Sequence, residues 1–377
     1  MNGGETLHGN RAMAAPAAAA AELVAELVAD LARITTRPWT LMEVCGGQTH
    51  AIVRWGLDQL LPPGMRLLHG PGCPVCVTAA STIDAALQLA RQPEVILCSY
   101  GDMLRVPGSA AAGGEDLLGV RAAGGDVRLL TSPLQALELA RRQPQRQVVF
   151  FAVGFETTAP ATALLARQAL ALGLTNLTLL QAHVRVVPAM AALLSDSTQQ
   201  VQGFLAAGHV AAVMGTAELQ QLVDNWHVPV VVTGFEPLDL LRGLRACVRQ
   251  LEAGEARLSN AYPAAVRSGG NPEAQALLAA VFQPVDQPWR GLGLIAGGGL
   301  ALRPPYDRLD ARQRFDLDPS EAGQEAAAVC IAGSVLRGAA RPSDCPAFGS
   351  SCTPDHPLGA PMVSSEGACA AYYRYRR

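Results

Sequence analysis

The 377-residue sequence predicts an α/β protein built from two parallel-sheet, Rossmann-like domains followed by an irregular C-terminal region. Three observations lead there. Charged residues make up only 16% of the chain against 50% for AVILMFWYC, where ordinary soluble proteins carry roughly 25% charge, so many strands should be covered on both faces. Between residues 40 and 240, short β-branched or Leu-rich runs alternate with segments of helical spacing, the signature of parallel strands joined by crossover helices. From about residue 243 glycine and proline become dense and regular structure is expected to thin.

Taken in order, residues 1–37 read as a leader and an N-terminal helix. The apolar stretch 14–21 has the composition of a signal-peptide core, but Glu22, Glu26 and Asp30 follow at helical spacing without a clear cleavage context. A first α/β domain is expected over 38–140, with strands at 94–100 and 127–130 and helices at 81–91 and 133–142. A second is expected over 141–242, with strands at 147–153, 177–181, 210–214 and 228–233 and a helix at 159–172. Polar signatures fall at expected strand ends, where parallel sheets gather ligand-binding groups. These are Ser99-Tyr100-Gly101-Asp102, Gly154-Phe155-Glu156-Thr157-Thr158 and Gly234-Phe235-Glu236. Residues 243–377 form the last region, which needs a staple such as a metal cluster.

The net charge of −3 argues against nucleic acid or an anionic membrane as principal partner. No run approaches the ~20 apolar residues that cross a bilayer. The expected location is cytoplasmic, where nine cysteines are better explained by metal or redox chemistry than by structural disulfides.

Seven of those thiols fall into two groups. In Met42-Glu43-Val44-Cys45-Gly46-Gly47-Gln48-Thr49-His50, a strand end passes through a glycine turn into a helix. Cys45 and His50 would both reach one soft or borderline metal such as iron; the alternative is a buried Cys and a capping Thr at an ordinary turn. Gly70-Pro71-Gly72-Cys73-Pro74-Val75-Cys76 places a Cys-Pro-x-Cys pair before a helix, whose N-terminus lowers a nearby thiol pKa and favours dithiol/disulfide exchange. A CxxC also serves as half of a zinc site, but no second CxxC or HxxxH completes one. Cys330, Cys345, Cys352 and Cys369, spaced by 15, 7 and 17 residues, suit either Zn²⁺ or a [4Fe-4S] cluster, and spacing alone does not separate the two. Cys98 and Cys247 sit in strand and helix patterns and read as packed thiols. Thr157 and Thr158 read as helix caps, His69 and His183 as cleft candidates or structural histidines, and His8, His209, His227 and His356 carry no supporting context.

These thiol segments, with Gly154-Phe155-Glu156-Thr157-Thr158-Ala159-Pro160, Trp289-Arg290-Gly291-Leu292-Gly293 and Met362-Val363-Ser364-Ser365-Glu366-Gly367, resemble the HypD family of hydrogenase maturation factors from about residue 38 to the C-terminus. The resemblance implies a maturation scaffold with redox activity, not a conventional turnover enzyme. With a HypC-type small chaperone it would hold iron while cyanide and carbon monoxide are attached, giving the Fe(CN)₂CO unit of [NiFe]-hydrogenase; HypE, with HypF, would supply cyanide built from carbamoyl phosphate. Carried over, Cys45 is the iron-ligating thiolate, His50 a nearby cleft residue, and Cys73 and Cys76 the redox-active pair. Cys330, Cys345, Cys352 and Cys369 become the [4Fe-4S] ligands, making 243–377 an iron-sulfur domain.

The chain departs from the family pattern in several places. It has Cys330-Ile331-Ala332-Gly333 where Cys-x-Cys-Gly is common and lacks a further Cys near Pro361. Val184 stands where a Lys is usual, with Arg185 one place on, and Gly298 stands where Ser is common. Two other readings compete: a stand-alone iron-sulfur thiol-disulfide oxidoreductase, and a zinc-stapled interaction module.

Overall fold

The computed structural model describes residues 9–110, 112–317 and 329–376; residues 1–8 of the expected leader lie outside the described residues. It is an α/β protein with two parallel sheets. The first contains β1 (Trp39–Glu43), β2 (Met65–His69), β7 (Gly203–Ala207), β8 (Val230–Thr233) and β9 (Leu258–Asn260), in the order β2-β1-β7-β8-β9. The second contains β3 (Val95–Ser99), β4 (Val127–Leu129), β5 (Gln147–Gly154) and β6 (Leu177–His183), in the order β4-β3-β5-β6. A hairpin of β10 (Phe282–Trp289) and β11 (Gly293–Leu302) pairs antiparallel, with a register shift between Val285 and Gln287.

The expected division at residue 140 does not match the sheets. Residues 38–140 supply β1 and β2 to one sheet and β3 and β4 to the other, and β7 to β9 return to the first sheet after β6. The second sheet is thus inserted between two strands of the first. Alternating strands and helices announce parallel sheets but carry no record of which strands pair, because a crossover can return to either edge.

Period-two alternation sorts side chains to the two faces of each sheet. In the first, Leu41, Leu205 and Val231 pack under the helices Gly9–Ile34, Gly46–Trp55 and Pro237–Glu252. Met42, Phe204 and Val232 face the helices Val186–Ser195, Gly208–Met214 and Ala217–Trp226. In the second, Leu97, Phe151 and Leu180 pack toward Ala80–Ala90, while Ile96, Phe150 and Leu179 pack toward Leu134–Arg142 and Ala159–Ala171. Each fully buried Phe or Leu contributes roughly 1.5–3 kcal/mol, and coverage on both faces explains the scarcity of charge.

Two expectations need correction. The strand expected at 210–214 is the helix Gly208–Met214, and the strand is the preceding Gly203–Ala207. A short apolar run fits either structure by period alone. Regular structure also continues past 243 through the helix Pro272–Val281 and the hairpin to Leu302. Pro272 occupies the first turn of its helix, where its missing N–H is harmless, and Pro284 and Pro288 lie in a two-stranded ribbon, where proline is tolerated. From Val329 to Arg376 the described chain has only short helices.

Candidate functional site

Both sheets reverse their direction of growth at an internal strand pair, β1/β7 in the first and β3/β5 in the second. The crevice at the carboxyl ends of such a pair is where α/β sheets place ligands.

At the first crevice β1 ends on Glu43, and Cys45 occupies the N-cap of helix Gly46–Trp55 in extended conformation (φ −146°, ψ 123°) without a side-chain capping bond. Its side chain is therefore free to serve something other than the helix. Cys45 is buried. Loss of water pushes its thiol well above the usual range; the carboxyls of Glu43 and Glu366 add to this, and the N–H groups of Gln48 and Gly47 oppose it. A cation must displace the proton for this sulfur to become a ligand.

Beneath Cys45, the fully buried carboxyl of Glu43 organises the turn. It accepts the Cys45 N–H (2.9 Å) and the Thr49 hydroxyl, and lies 2.8 Å from His69 Nδ1. The main chain joins the two thiol segments: Gly70 N–H donates to Glu43 O (2.8 Å) and Gly46 N–H to Gly72 O (2.7 Å). Gly72 has no room for a side chain, since a Cβ there would fall 2.2 Å from the Cys45 nitrogen. Immediately beyond, Cys73 at the N-cap and Cys76 within the short helix Pro74–Val77 form a disulfide. Both are buried and share one apolar core with Cys45, so the structure brings these three residues together.

The structure separates His50 from Cys45. Five residues along a helix is about 140° of rotation, and the His50 ring instead meets Ser365 O (Nδ1, 3.0 Å) and Tyr375 Oη (Nε2, 3.3 Å). The imidazole beside Cys45 belongs to His209, with Nδ1 3.8 Å and Nε2 4.0 Å from Sγ, and it stacks on Phe235. His209 follows β7, the partner strand at the switch point. Its signal was the Gly208-His209 step after an apolar run, hidden by reading 210–214 as the strand. Among the described residues no three His, Cys, Asp or Glu side chains are placed to hold a single metal ion.

Other expectations resolve individually. Thr158 occupies the N-cap of Ala159–Ala171 without a side-chain capping bond, and its hydroxyl donates to Phe155 O (3.1 Å). His183 is fully buried beside Gln181 (2.9 Å), and burial pushes its pKa down to about 3. Arg185 binds Glu218 (2.7 Å) and Gly297 O (2.9 Å). At Gly298 a Cβ would fall 2.7 Å from Ile295 Cγ2, leaving little space for a side chain. Cys98 and Cys247 are completely buried, and burial pushes each thiol up to about 12.

The C-terminal cysteines meet in one small core. Cys345, Cys352 and Cys369 pack around Ala347 and Met362. The Cys369 thiol is raised first by desolvation and then by Cys330, Cys352 and Cys345, in that order. Leu358 N–H donates to Cys352 Sγ (3.3 Å), and Gly359 passes so close to Cys330 Sγ that a Cβ would sit 2.6 Å from it. Four thiols not joined in disulfides, three of them close enough to oppose ionisation of Cys369 and one receiving a backbone donor, fit a thiolate-bound cofactor. This core also abuts the first site. The helix Ala368–Tyr375 packs on Gly46–Trp55, the turn Ala360–Met362 packs on Pro74–Val77, and Tyr372 meets His69 edge-on (5.6 Å). No helix among the described residues is long and apolar enough to cross a membrane.

A family model described as "HypD: Hydrogenase formation hypA family" matches residues 19–376. The chain is 48% identical over 347 residues to the hydrogenase expression/formation protein HupD of Azotobacter chroococcum mcd 1, covering 90% of each. It is 48% identical over 347 residues to the hydrogenase maturation factor HypD of Azotobacter vinelandii, and 46% identical over 342 residues to that of Escherichia coli (strain K12), again covering 90% of each chain.

Proposed function

The chain belongs to the HypD family of hydrogenase maturation factors, and on that premise we propose that it is the scaffold on which the Fe(CN)₂CO moiety is assembled. Iron is the cargo, held by Cys45 together with a HypC-type small chaperone, and cyanide arrives from HypE acting with HypF in the cytoplasm. The observation that carries this reading is the packing of Gly72 against Cys45, which sets a lone buried thiol beside the buried Cys73–Cys76 disulfide.

The chain's own residues have distinct tasks. Glu43 fixes the Cys45 backbone from below, so the sulfur is presented in one position. His209, beside Sγ and held neutral by burial, is placed to take up the thiol proton as iron binds. The apolar core around Cys73 and Cys76 excludes water from the dithiol. Cys330, Cys345, Cys352 and Cys369 would hold a [4Fe-4S] cluster, which supplies one-electron transfer when bound. The alternative of a stand-alone thiol-disulfide oxidoreductase fits less well. Exchange with a partner protein requires an accessible sulfur, and Cys73 and Cys76 are 3% and 0% exposed.

The test is an infrared spectrum of the anaerobically co-purified complex with the small chaperone. Cyanide and carbonyl stretching bands are expected, lost in Cys45→Ala while the iron-sulfur absorption remains. A colourless complex with stoichiometric zinc and no such bands would overturn the proposal.

A further inference from the structure

Glu156 has no task in the scheme above, yet its surroundings are unusual. It follows β5 and is 2% exposed. One carboxyl oxygen, Oε1, accepts the Val186 N–H (3.0 Å), while Oε2 is buried without a hydrogen-bond partner among the described residues. Such an atom destabilises the fold unless something meets it.

Glu156 borders a cavity of about 20 Å³ between the helices Val186–Ser195, Gly208–Met214 and Ala217–Trp226, with Ala207, Val210 and Ala211 on the far wall. That space accommodates one water, and the carboxyls of Glu156 and Glu218 offer it polar partners in an otherwise largely apolar lining. Glu218 lines the same cavity; its side chain is 39% exposed and is gripped by Arg185. Desolvation is the largest influence on the Glu156 pKa and raises it; its own N–H and that of Val186 lower it, and of the charged groups Arg185 lowers it and Glu218 raises it. The balance brings it to about 7.

We propose that Glu156 and this cavity form a proton-loading site, in which the buried carboxyl shares one water molecule with Glu218 and exchanges its proton with solvent through it. Its use rests on the function proposed above. Reduction of the Cys73–Cys76 disulfide breaks one S–S bond and, with two electrons from a low-potential one-electron carrier and two protons, forms two S–H bonds. Phe155, next in sequence, packs in the same core as both cysteines. Glu156 delivers one proton per electron to this water-poor region and is reloaded by way of Glu218.

The test is an infrared pH titration of the full-length protein. The wild type is expected to show a protonated-carboxyl band that bleaches as pH rises through about 7, and Glu156→Gln should lack it. On transfer to D₂O the band's isotope shift should be slowed in Glu218→Gln on the order of 10²-fold, the contribution typical of a positioned acid–base group. Absence of the band in the wild type, its persistence in Glu156→Gln, or unchanged exchange in Glu218→Gln would overturn the proposal. None of these readouts needs iron. A protein that shows the band but never acquires diatomic ligands would lose the proposed function and keep the proton site.

Discussion

Substituting Gly72 by alanine tests the contact on which the thiol site is built. The new Cβ would lie 2.2 Å from the Cys45 nitrogen, 2.3 Å from its Cα and 2.4 Å from the Val44 carbonyl carbon. Carbon contacts are comfortable at about 3.5–4.0 Å, so the loop must retreat by about 1 Å or more. All three obstructing atoms are main chain, and no side-chain rotation relieves them. Retreat strains the bonds Gly46 N–H to Gly72 O and Gly70 N–H to Glu43 O, each contributing about 1 kcal/mol, on top of about 1–3 kcal/mol for overpacking. The expected loss is about 3–5 kcal/mol, read as a lowered urea midpoint at unchanged slope, with faster alkylation of Cys45. Gly269→Ala is the control, because nothing lies within 4 Å of a Cβ there. A Gly72→Ala protein within about 0.5 kcal/mol of wild type, the range of ordinary surface changes, would refute the packing argument.

Glu43→Ala strips the acceptor from the Cys45 N–H and the Thr49 hydroxyl and the partner from His69, and should cost about 3–5 kcal/mol in chemical denaturation; Glu43→Gln, retaining one oxygen, should cost about half. Glu156 gives stability a definite slope. Its folded pKa of about 7 lies above the 4.5 of an ordinary glutamate, so between these values the folded state binds more protons than the unfolded. Stability should decline by about 3 kcal/mol across that window and level off above it; urea midpoints measured from pH 4 to 8 should flatten in Glu156→Gln. His209→Ala should lower iron retention by the chaperone complex about 10–100-fold, measured by metal analysis, with the iron-sulfur absorption unchanged.

Much of the fold was legible because β-branched runs bounded by glycine announce buried strands, and β3 to β6 and β8 lie within two or three residues of the expected positions. The pairing of strands was not, since β1, ending at Glu43, meets β7, which begins only at Gly203, and no local pattern encodes that. Thiol positions were legible as types; Cys45, Cys73 and Cys76 share one core, Cys345, Cys352 and Cys369 another, and Cys330 lies near enough to Cys369 to act on it. His50 is near Cys45 only in sequence, whereas His209 comes near it only once β1 and β7 lie side by side. Glu43 lies beneath the site and carries no sequence signal of its own. A carboxyl in an apolar strand gives no sign of what it will bond until the glycine loop arrives above it.

The insertion of one sheet inside the other sets a schedule for biosynthesis. Residues 39–69 leave the ribosome early, yet β1 lacks a neighbour on its β7 side until Gly203 has emerged, and the five-stranded layer closes only with Leu258. Cys45 therefore spends most of translation without its crevice, and the iron loading proposed above would have to follow synthesis of the chain.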